Sequence, residues 1–253
     1  MDEYYIRIPN DFVQENKYDN ETIFIYSLLQ KNLSIQKQII FNLKWLFKEL
    51  NISHDSTKSR IRIRNILKRL HDDKYIIFNC DIKNIKSSDL IFAELNNDYL
   101  EDSFVKILIY EFDIIYKYNS KDIFNIFCLF ACIKSRIDSK KYCYPSFSNL
   151  KTSTGIKSST SISDYLKILQ KDLGLIIYDN LGYGVIDDKT EQLNNIYTMN
   201  YDGNNELLKE VIRARKDELE DYYIKIEKGI SANKKRSETM KKYWIGKKLK
   251  KSL

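Results

Sequence analysis

Two stretches of this sequence carry the same signals in the same order, about one hundred positions apart. Each stretch begins with a short apolar block, continues with an apolar helix opened by Ile-Phe, and closes with a Leu-containing helix that leads into further apolar residues. The corresponding blocks are residues 5–8 and 104–107, residues 23–24 and 123–124, and residues 67–77 and 166–176. A repeat of so long a period indicates two tandem domains rather than a solenoid.

The composition favours a mainly α fold of the α+β class for both domains. Of the 253 residues, 43% are hydrophobic, including 19 Tyr and 12 Phe, so that two modest cores can be buried. The 7 Gly and 2 Pro disfavour an all-β fold rich in tight turns. We therefore predict a first domain at residues 1–98, a second at 99–203, and a C-terminal helix with a polybasic tail at 204–253.

Several classes of protein are disfavoured by what the sequence contains. No apolar run approaches the length of a membrane span, and the first residues lack the plan of a signal peptide, so that we expect a cytoplasmic protein without a membrane partner. Cys128 and Cys132 lie four positions apart on an apolar helix, which favours burial over a metal site. His54 and His71 lack the spacing of metal ligands. We expect no metal and no cofactor.

Capping signals and hydrophobic periodicity predict the secondary structure of each repeat. In the first repeat we predict strands at residues 5–8, 75–82 and 89–95, an extended segment at 34–41, and helices at 21–31, 43–50 and 57–72. In the second repeat we predict helices at residues 122–133, 146–152 and 158–173, and a hairpin formed by 175–179 and 195–200. A further helix at residues 205–226 is expected to pack on the body rather than to form a coiled coil.

The helix at residues 57–72 has two contrasting faces. Ile63, Ile66, Leu67 and Leu70 fall on one arc of a helical wheel and are predicted to be buried. The opposite arc is polar and basic, and no acidic residue occurs between positions 56 and 70. In the major groove Arg can bind guanine, Asn can bind adenine and Lys can contact phosphates, which favours a DNA-reading face over a solvated surface. The candidate residues are Thr57, Lys58, Ile61, Arg64, Asn65 and Lys68, flanked by Arg60, Arg62 and Arg69.

Ile61 is the apolar residue of this face, and two interpretations of it stay open. It can contact the methyl group of a thymine. It can also pack against residues 34–41 or against the hairpin of the first repeat.

The corresponding helix of the second repeat is less basic. Asp164 lies on its outer face and would repel phosphates, so that this helix either reads bases with hydroxyl groups or chiefly supports dimerisation. Its candidate DNA-binding residues are Lys157, Thr160, Ser161 and Lys167.

The basic charge of the chain is concentrated at its C-terminal end. Residues 225–253 carry 11 Lys and Arg against two Glu, a net charge of +9 in a chain of +7, so that the rest sums to −2. Such a tail can bind DNA phosphates without reading sequence, or it can serve as a solubilising or partner-binding segment. The candidate residues of the tail are Lys234, Lys235, Arg236, Lys241 and Lys242.

The order of these blocks resembles a known family of DNA-binding proteins. Residues 5–9, 21–31, 46–52, 56–70 and 75–77 resemble the winged-helix N-terminal module of plasmid and phage replication initiators from Gram-positive bacteria, and residues 149–151 and 166–177 resemble it again. Residues 231–244 are similar to the basic ends of phage replisome organisers. The resemblance implies two tandem winged helices, a fold that also serves transcriptional repressors.

We expect a sequence-specific, double-stranded DNA-binding protein and not an enzyme, because the sequence has no phosphate-binding Gly-rich loop, HExxH motif or zinc cluster. The leading expectation is a plasmid or phage replication initiator that binds origin repeats. The alternatives are a transcriptional regulator of a mobile element and a DNA-partition or assembly protein. The expected partners are double-stranded DNA, a second copy of the chain in a homodimer, and replication proteins.

Overall fold

The computed structural model describes residues 5–34, 38–96, 103–118, 120–137, 141–179, 181, 183–186, 189–201 and 203–218. These residues form a mixed α+β structure with small sheets, which confirms the fold class at that level. In the described part of the chain, no helix has the length and apolar character needed to cross a membrane.

The first repeat begins with β1 (Tyr5–Pro9) and a short helix, α1 (Asn10–Gln14), which the sequence did not indicate. It continues with α2 (Asn20–Lys31), β2 (Gln38–Phe41), α3 (Leu43–Glu49), α4 (Thr57–Asp72), β3 (Ile76–Phe78) and β4 (Ile91–Leu95). The side chains of Asp19, Asn42 and Ser56 begin α2, α3 and α4 by accepting a hydrogen bond from a main-chain N–H of the first turn. The predicted helix starts therefore agree with the structure to within one residue.

The second repeat begins with β5 (Phe104–Leu108), α5 (Ile109–Lys117), which was not predicted, and α6 (Ile123–Lys134). It continues with β6 (Tyr142–Cys143), α7 (Phe147–Thr154), α8 (Ser159–Lys167), β7 (Ile176–Asp179), β8 (Tyr183–Ile186), β9 (Lys189–Gln192), β10 (Ile196–Met199) and α9 (Asn204–Glu218). The predicted helix at 158–173 is α8 followed by a π-helical turn at Ile168–Asp172. Gly174, with φ of +61°, follows this turn in the left-handed conformation that commonly ends a helix.

Both repeats build a three-stranded antiparallel sheet with the same strand order. In the first repeat β4 lies between β2 and β3, with Glu94 opposite both Gln38 and Ile77. In the second repeat β10 lies between β6 and β7, with Thr198 opposite both Tyr142 and Ile177. The sequence blocks that repeat thus correspond to structural elements that repeat.

The strands that begin the two repeats pair with each other. β1 and β5 are antiparallel, and Arg7 lies opposite Lys106, the residue at the same place in the second repeat. The register is symmetric about this central pair, so that a local two-fold axis relates the two strands. The other edge of β1 is covered by α2, because the Gln30 side chain accepts a hydrogen bond from Arg7 N (3.0 Å) and donates one to Arg7 O (2.7 Å).

Aromatic side chains of both repeats meet in one core. The ring of Phe24 on α2 lies 5.3 Å from Phe112 on α5 and 5.1 and 5.5 Å from Phe124 and Phe127 on α6, measured between centroids. Tyr116 on α5 donates a hydrogen bond of 2.5 Å to Glu49 on α3. Burial, aided by this bond, raises the pKa of Tyr116 to about 12, so that the phenol stays a donor.

The chain divides into two compact units whose borders differ from the predicted borders after residues 98 and 203. The first unit contains the described residues up to Arg136 together with Ser148–Leu175, and the second contains Ile137–Phe147 and the described residues from Ile176 onward. The difference arises because the β1–β5 pair and the aromatic core join helices of the second repeat to the first.

In the second unit α9 packs on the sheet of the second repeat. Leu208 and Ile212 are buried in one apolar cluster with Ile196, and Ile177 packs against the same cluster. Residues 219–226 of the helix predicted at 205–226 lie outside the described residues.

The lengths of two predicted strands differ from the structure, whereas the predicted burial of two cysteines agrees with it. The strands predicted at 75–82 and 89–95 are shorter, because Ile82 and Ile85 turn into the protein from the intervening loop and are buried there. Cys128 and Cys132 are buried as predicted, and this burial raises the pKa of Cys132 to about 11. Its thiol is therefore neutral at physiological pH.

Because Phe24 fills the core shared by the repeats, Phe24→Ala should lower the free energy of unfolding by about 3–5 kcal/mol. The measurement is urea unfolding followed by fluorescence and circular dichroism. Tyr144→Ala is the control, since Tyr144 is exposed and its replacement should change stability by no more than about 0.5 kcal/mol. A loss below about 1 kcal/mol for Phe24→Ala would contradict a shared core.

Candidate nucleic-acid interface

The α4 helix, which carries the predicted DNA-reading face, is fixed at both ends. Ser56 Oγ accepts a hydrogen bond from Ser59 N at its start (3.2 Å). Lys74, with φ of +61°, follows its end, and Lys74 N donates a hydrogen bond to His71 O (2.9 Å). The predicted core residues Ile63, Ile66, Leu67 and Leu70 are all buried, which confirms the orientation of the helix.

The predicted residues on the outer face of α4 differ in their exposure to solvent. Thr57, Lys58, Ile61, Arg62 and Asn65 are exposed, whereas Arg60, Arg64 and Lys68 are half-buried. Ile61 is 53% exposed, so that more than half of its surface is open to contact from outside. Thr57, Ile61 and Asn65 follow the helical spacing i, i+4 and i+8, and Lys58 and Arg62 lie beside them, so that the five residues form one exposed stripe.

Arg64 joins α4 to the loop between β3 and β4, residues 79–90, which we call the hairpin loop. Its Nη2 donates a hydrogen bond of 2.7 Å to the carbonyl of Ile85. Lys44 N, in the first turn of α3, donates to the carbonyl of Ser87 in the same loop (3.1 Å). The hairpin loop is thus held against α3 and α4, and the Arg64 guanidinium predicted to read guanine is already engaged by the protein.

The hairpin loop exposes two lysines that the sequence analysis missed. Asp81 accepts hydrogen bonds from Lys83 N (3.0 Å) and from Asn84 Nδ2 (2.7 Å), and Asp89 accepts one from Lys86 N (2.9 Å). These carboxylates shape the turns, while the side chains of Lys83 and Lys86 are exposed. An Asp two or three residues from a Lys in a polar turn was the signal that could have indicated them.

Other cations of α4 have partners within the protein. Arg62 forms an ion pair with Glu21 of α2 (3.1 Å), Lys68 pairs with Asp72, and Arg60 donates to the hydroxyl of Thr57 (3.2 Å). Burial raises the pKa of Glu21, and the positive charge of Arg62 opposes this rise. A phosphate group that binds Arg62 would compete with the Glu21 carboxylate.

Arg69, which flanks the predicted face, is engaged elsewhere. Its guanidinium lies 4.3 Å from the ring centroid of Tyr18, and its Nη2 donates to the carbonyl of Lys17 (2.8 Å). Arg69 therefore attaches α4 to the segment before α2.

The second repeat places its candidate residues on α8 and on the turn before it. Lys157 and Thr160 are exposed and Ser161 is half-buried, whereas Lys167 is paired with Asp164 (3.0 Å). The turn from α7 contains Gly155, with φ of +66°; a Cβ there would lie 3.4 Å from Asn16 Oδ1.

The predicted tail residues Lys234, Lys235, Arg236, Lys241 and Lys242 lie outside the described residues.

Neither a scan of protein-family models nor a search of curated proteins gives a match to this sequence. The described geometry offers an exposed stripe with hydroxyl, amide, ammonium and aliphatic groups, beside a loop with two exposed ammonium groups. These groups can hydrogen-bond to base edges and neutralise phosphates.

The half-buried Glu21 should give the stability of the protein a measurable pH dependence. Its pKa is above the ordinary value of 4.5, so the folded state binds more protons, and stability falls as pH rises from about 4.5 through the folded pKa. Glu21→Gln should remove this loss, because glutamine does not titrate. The free energy of unfolding of the variant should therefore increase relative to that of the wild type as the pH rises from about 4.5 to the folded pKa of Glu21, the pH window of this effect. Arg62→Ala should extend the window to higher pH. A difference between variant and wild type that is constant with pH would contradict this role.

Proposed function

We propose that this protein binds double-stranded DNA in a sequence-specific manner through two tandem winged helices. Three features support the proposal. Each repeat has the order helix, strand, helix, helix, strand and strand, and in each the last strand is central in its sheet; the second repeat adds the β8–β9 hairpin before its last strand. The second helix of each helix-turn-helix, α4 or α8, has a polar outer face and a buried apolar face. This is the arrangement in which a helix enters the major groove.

The observation that carries the proposal is the exposed stripe of α4 beside the hairpin loop. Thr57, Lys58, Ile61 and Asn65 are exposed, and the first acidic residue of α4 is Asp72 in its last turn. A solvated surface helix would carry acidic residues among its basic ones, whereas a groove-binding helix excludes them because phosphates would repel them. Lys83 and Lys86 extend the positive charge to the loop that Arg64 holds.

Because Arg64 is hydrogen-bonded to the hairpin loop, we propose that other residues of the outer face of α4 contact the bases. Asn65 is the residue that can bind adenine bidentately, Ile61 can contact a thymine methyl group, and Lys58 near the helix start can bind a phosphate or guanine. Arg64 orients the loop, and Arg62 contacts DNA only after it leaves Glu21. The milder face of α8, with Lys157, Thr160 and Ser161, supports binding, and the basic tail adds affinity without sequence preference.

The biological role that we propose is replication initiation on a plasmid or phage, by binding to origin repeats. The repeat of one DNA-binding arrangement within the chain favours this role, because two such modules can contact two neighbouring half-sites. A transcriptional regulator of a mobile element is the alternative. Recovery of bound sequences from a random DNA pool separates the two, since direct repeats indicate an origin and a single palindrome indicates an operator.

Asn65→Ala should weaken binding to the recovered site by about 1–3 kcal/mol while leaving binding to unrelated duplexes unchanged. The loss arises because the amide can no longer bind a base edge, and fluorescence anisotropy with both duplexes measures it. The matched control is Asn32→Ala, which removes the same side chain at the C-terminal end of α2. An equal loss of affinity for both duplexes, or no loss for either, would show that Asn65 does not recognise a base.

Replacement of Lys83 and Lys86 by Ala should weaken binding to every duplex alike. Because each phosphate contact releases a counterion, the slope of log K against log salt should become shallower by about 1 for each lysine that touches DNA. Lys209→Ala is the control, since Lys209 on α9 is exposed and paired with Glu206. An unchanged slope would place the hairpin loop away from the duplex.

A further inference from the structure

The outer faces of the two equivalent sheets differ in what covers them. In the second repeat, Ile177, Ile196 and Tyr142 lie on the face that packs against Leu208 and Ile212 of α9. These two α9 residues are spaced i and i+4 and point to the same side of the helix. Val211 of the same helix and Leu181 belong to this cluster as well, so that the i, i+4 pair of α9 forms the central part of the cover.

The equivalent face of the first repeat is open. Its residues, identified by strand register, are Ile77, Phe92, Ile40, Gln38 and Glu94, and we call them the open sheet face; Gln38 Nε2 donates a hydrogen bond to Glu94 Oε1 (3.4 Å). Ile40, Ile77 and Phe92 are each between 40% and 49% exposed, although Ile40 and Phe92 lie directly opposite each other and could bury together under a covering element. Glu94 occupies the place of Thr198 in the second repeat and lies on the central strand.

The helix α5 has the complementary surface. Among the described helices it is the one that exposes two large hydrophobic side chains, Tyr110 (51%) and Ile114 (37%), and they have the i, i+4 spacing of the α9 pair. Lys117 is exposed one turn further along. On its other side α5 is held by Phe112 and Ile115, which are fully buried, so that the exposed pair is presented on a fixed helix.

We propose that the open sheet face of one copy binds α5 of a second copy, with Lys117 of α5 close to Glu94. Tyr110 and Ile114 then cover Ile77, Phe92 and Ile40 as Leu208 and Ile212 cover the sheet of the second repeat. Charge complementarity favours this contact over a sheet-to-sheet contact, because a two-fold pairing of open sheet faces would bring the two central Glu94 carboxylates together. The proposal does not depend on DNA binding.

The two surfaces share no residue, so that one contact leaves the α5 of one copy and the open sheet face of the other unoccupied. These remaining surfaces either bind each other, which closes a two-fold dimer, or bind further copies, which gives a ring or an open chain.

Light scattering coupled to size exclusion, without DNA and at increasing protein concentration, tests the proposal with two variants. Phe92→Glu blocks the open sheet face and Ile114→Glu blocks α5; both positions are exposed, and unfolding curves check that both variants fold. The wild type should form dimers or larger assemblies of its 30.2 kDa chain as the concentration rises. Each variant alone should stay monomeric, whereas an equimolar mixture should give a species of twice the monomer mass that grows no further, since one functional pair of surfaces remains.

A second pair of variants tests the charge contact. Glu94→Lys and Lys117→Glu should each weaken assembly, and their combination in one chain should restore it. The proposal is overturned if the wild type stays monomeric at all concentrations, if either Glu variant still assembles alone, or if the mixture of the two variants remains monomeric. It is also overturned if the charge-reversed double variant fails to recover assembly.

Discussion

The antiparallel pairing of β1 with β5 is the contact on which the arrangement of the first unit depends. These strands start the two repeats, and their pairing brings α2 close to α5 and α6. The aromatic core around Phe24 is then built from side chains that neither repeat could bury alone. Gln30 completes this region by binding both main-chain groups of Arg7 at the edge of the two-stranded sheet.

The basic residues of α4 serve different purposes. Arg64 and Arg69 are used to attach neighbouring segments, and Arg62 balances the buried carboxylate of Glu21. Lys58 and Asn65 remain exposed on the same helix. A planar guanidinium with five donors suits the attachment role, because it can reach a carbonyl across a gap that an aliphatic side chain could not bridge. The composition of such a face therefore overstates the charge that is available to a ligand.

The sequence predicted the parts of this fold that depend on local rules. The start of α4 followed from the capping residue Ser56, and its buried side followed from its helical spacing. The pairing of β1 with β5 could not be predicted, because it joins strands almost one hundred residues apart and depends on no local signal. The partners of Arg64 and the burial of Ile82 and Ile85 depend in the same way on how the hairpin loop meets α3 and α4.

The symmetric register of β1 and β5 also bears on the history of the chain. A protein with a single repeat could form the same contact between two identical molecules. In such a dimer the central residue of the strand would pair with itself, as Arg7 pairs with its equivalent Lys106 here, and the flanking residues would pair symmetrically on either side. Duplication and fusion of such a gene would convert a homodimer into a single polypeptide while keeping the contact. Once joined, the halves could diverge independently, which accounts for a strongly basic helix in one and a helix-covered sheet in the other.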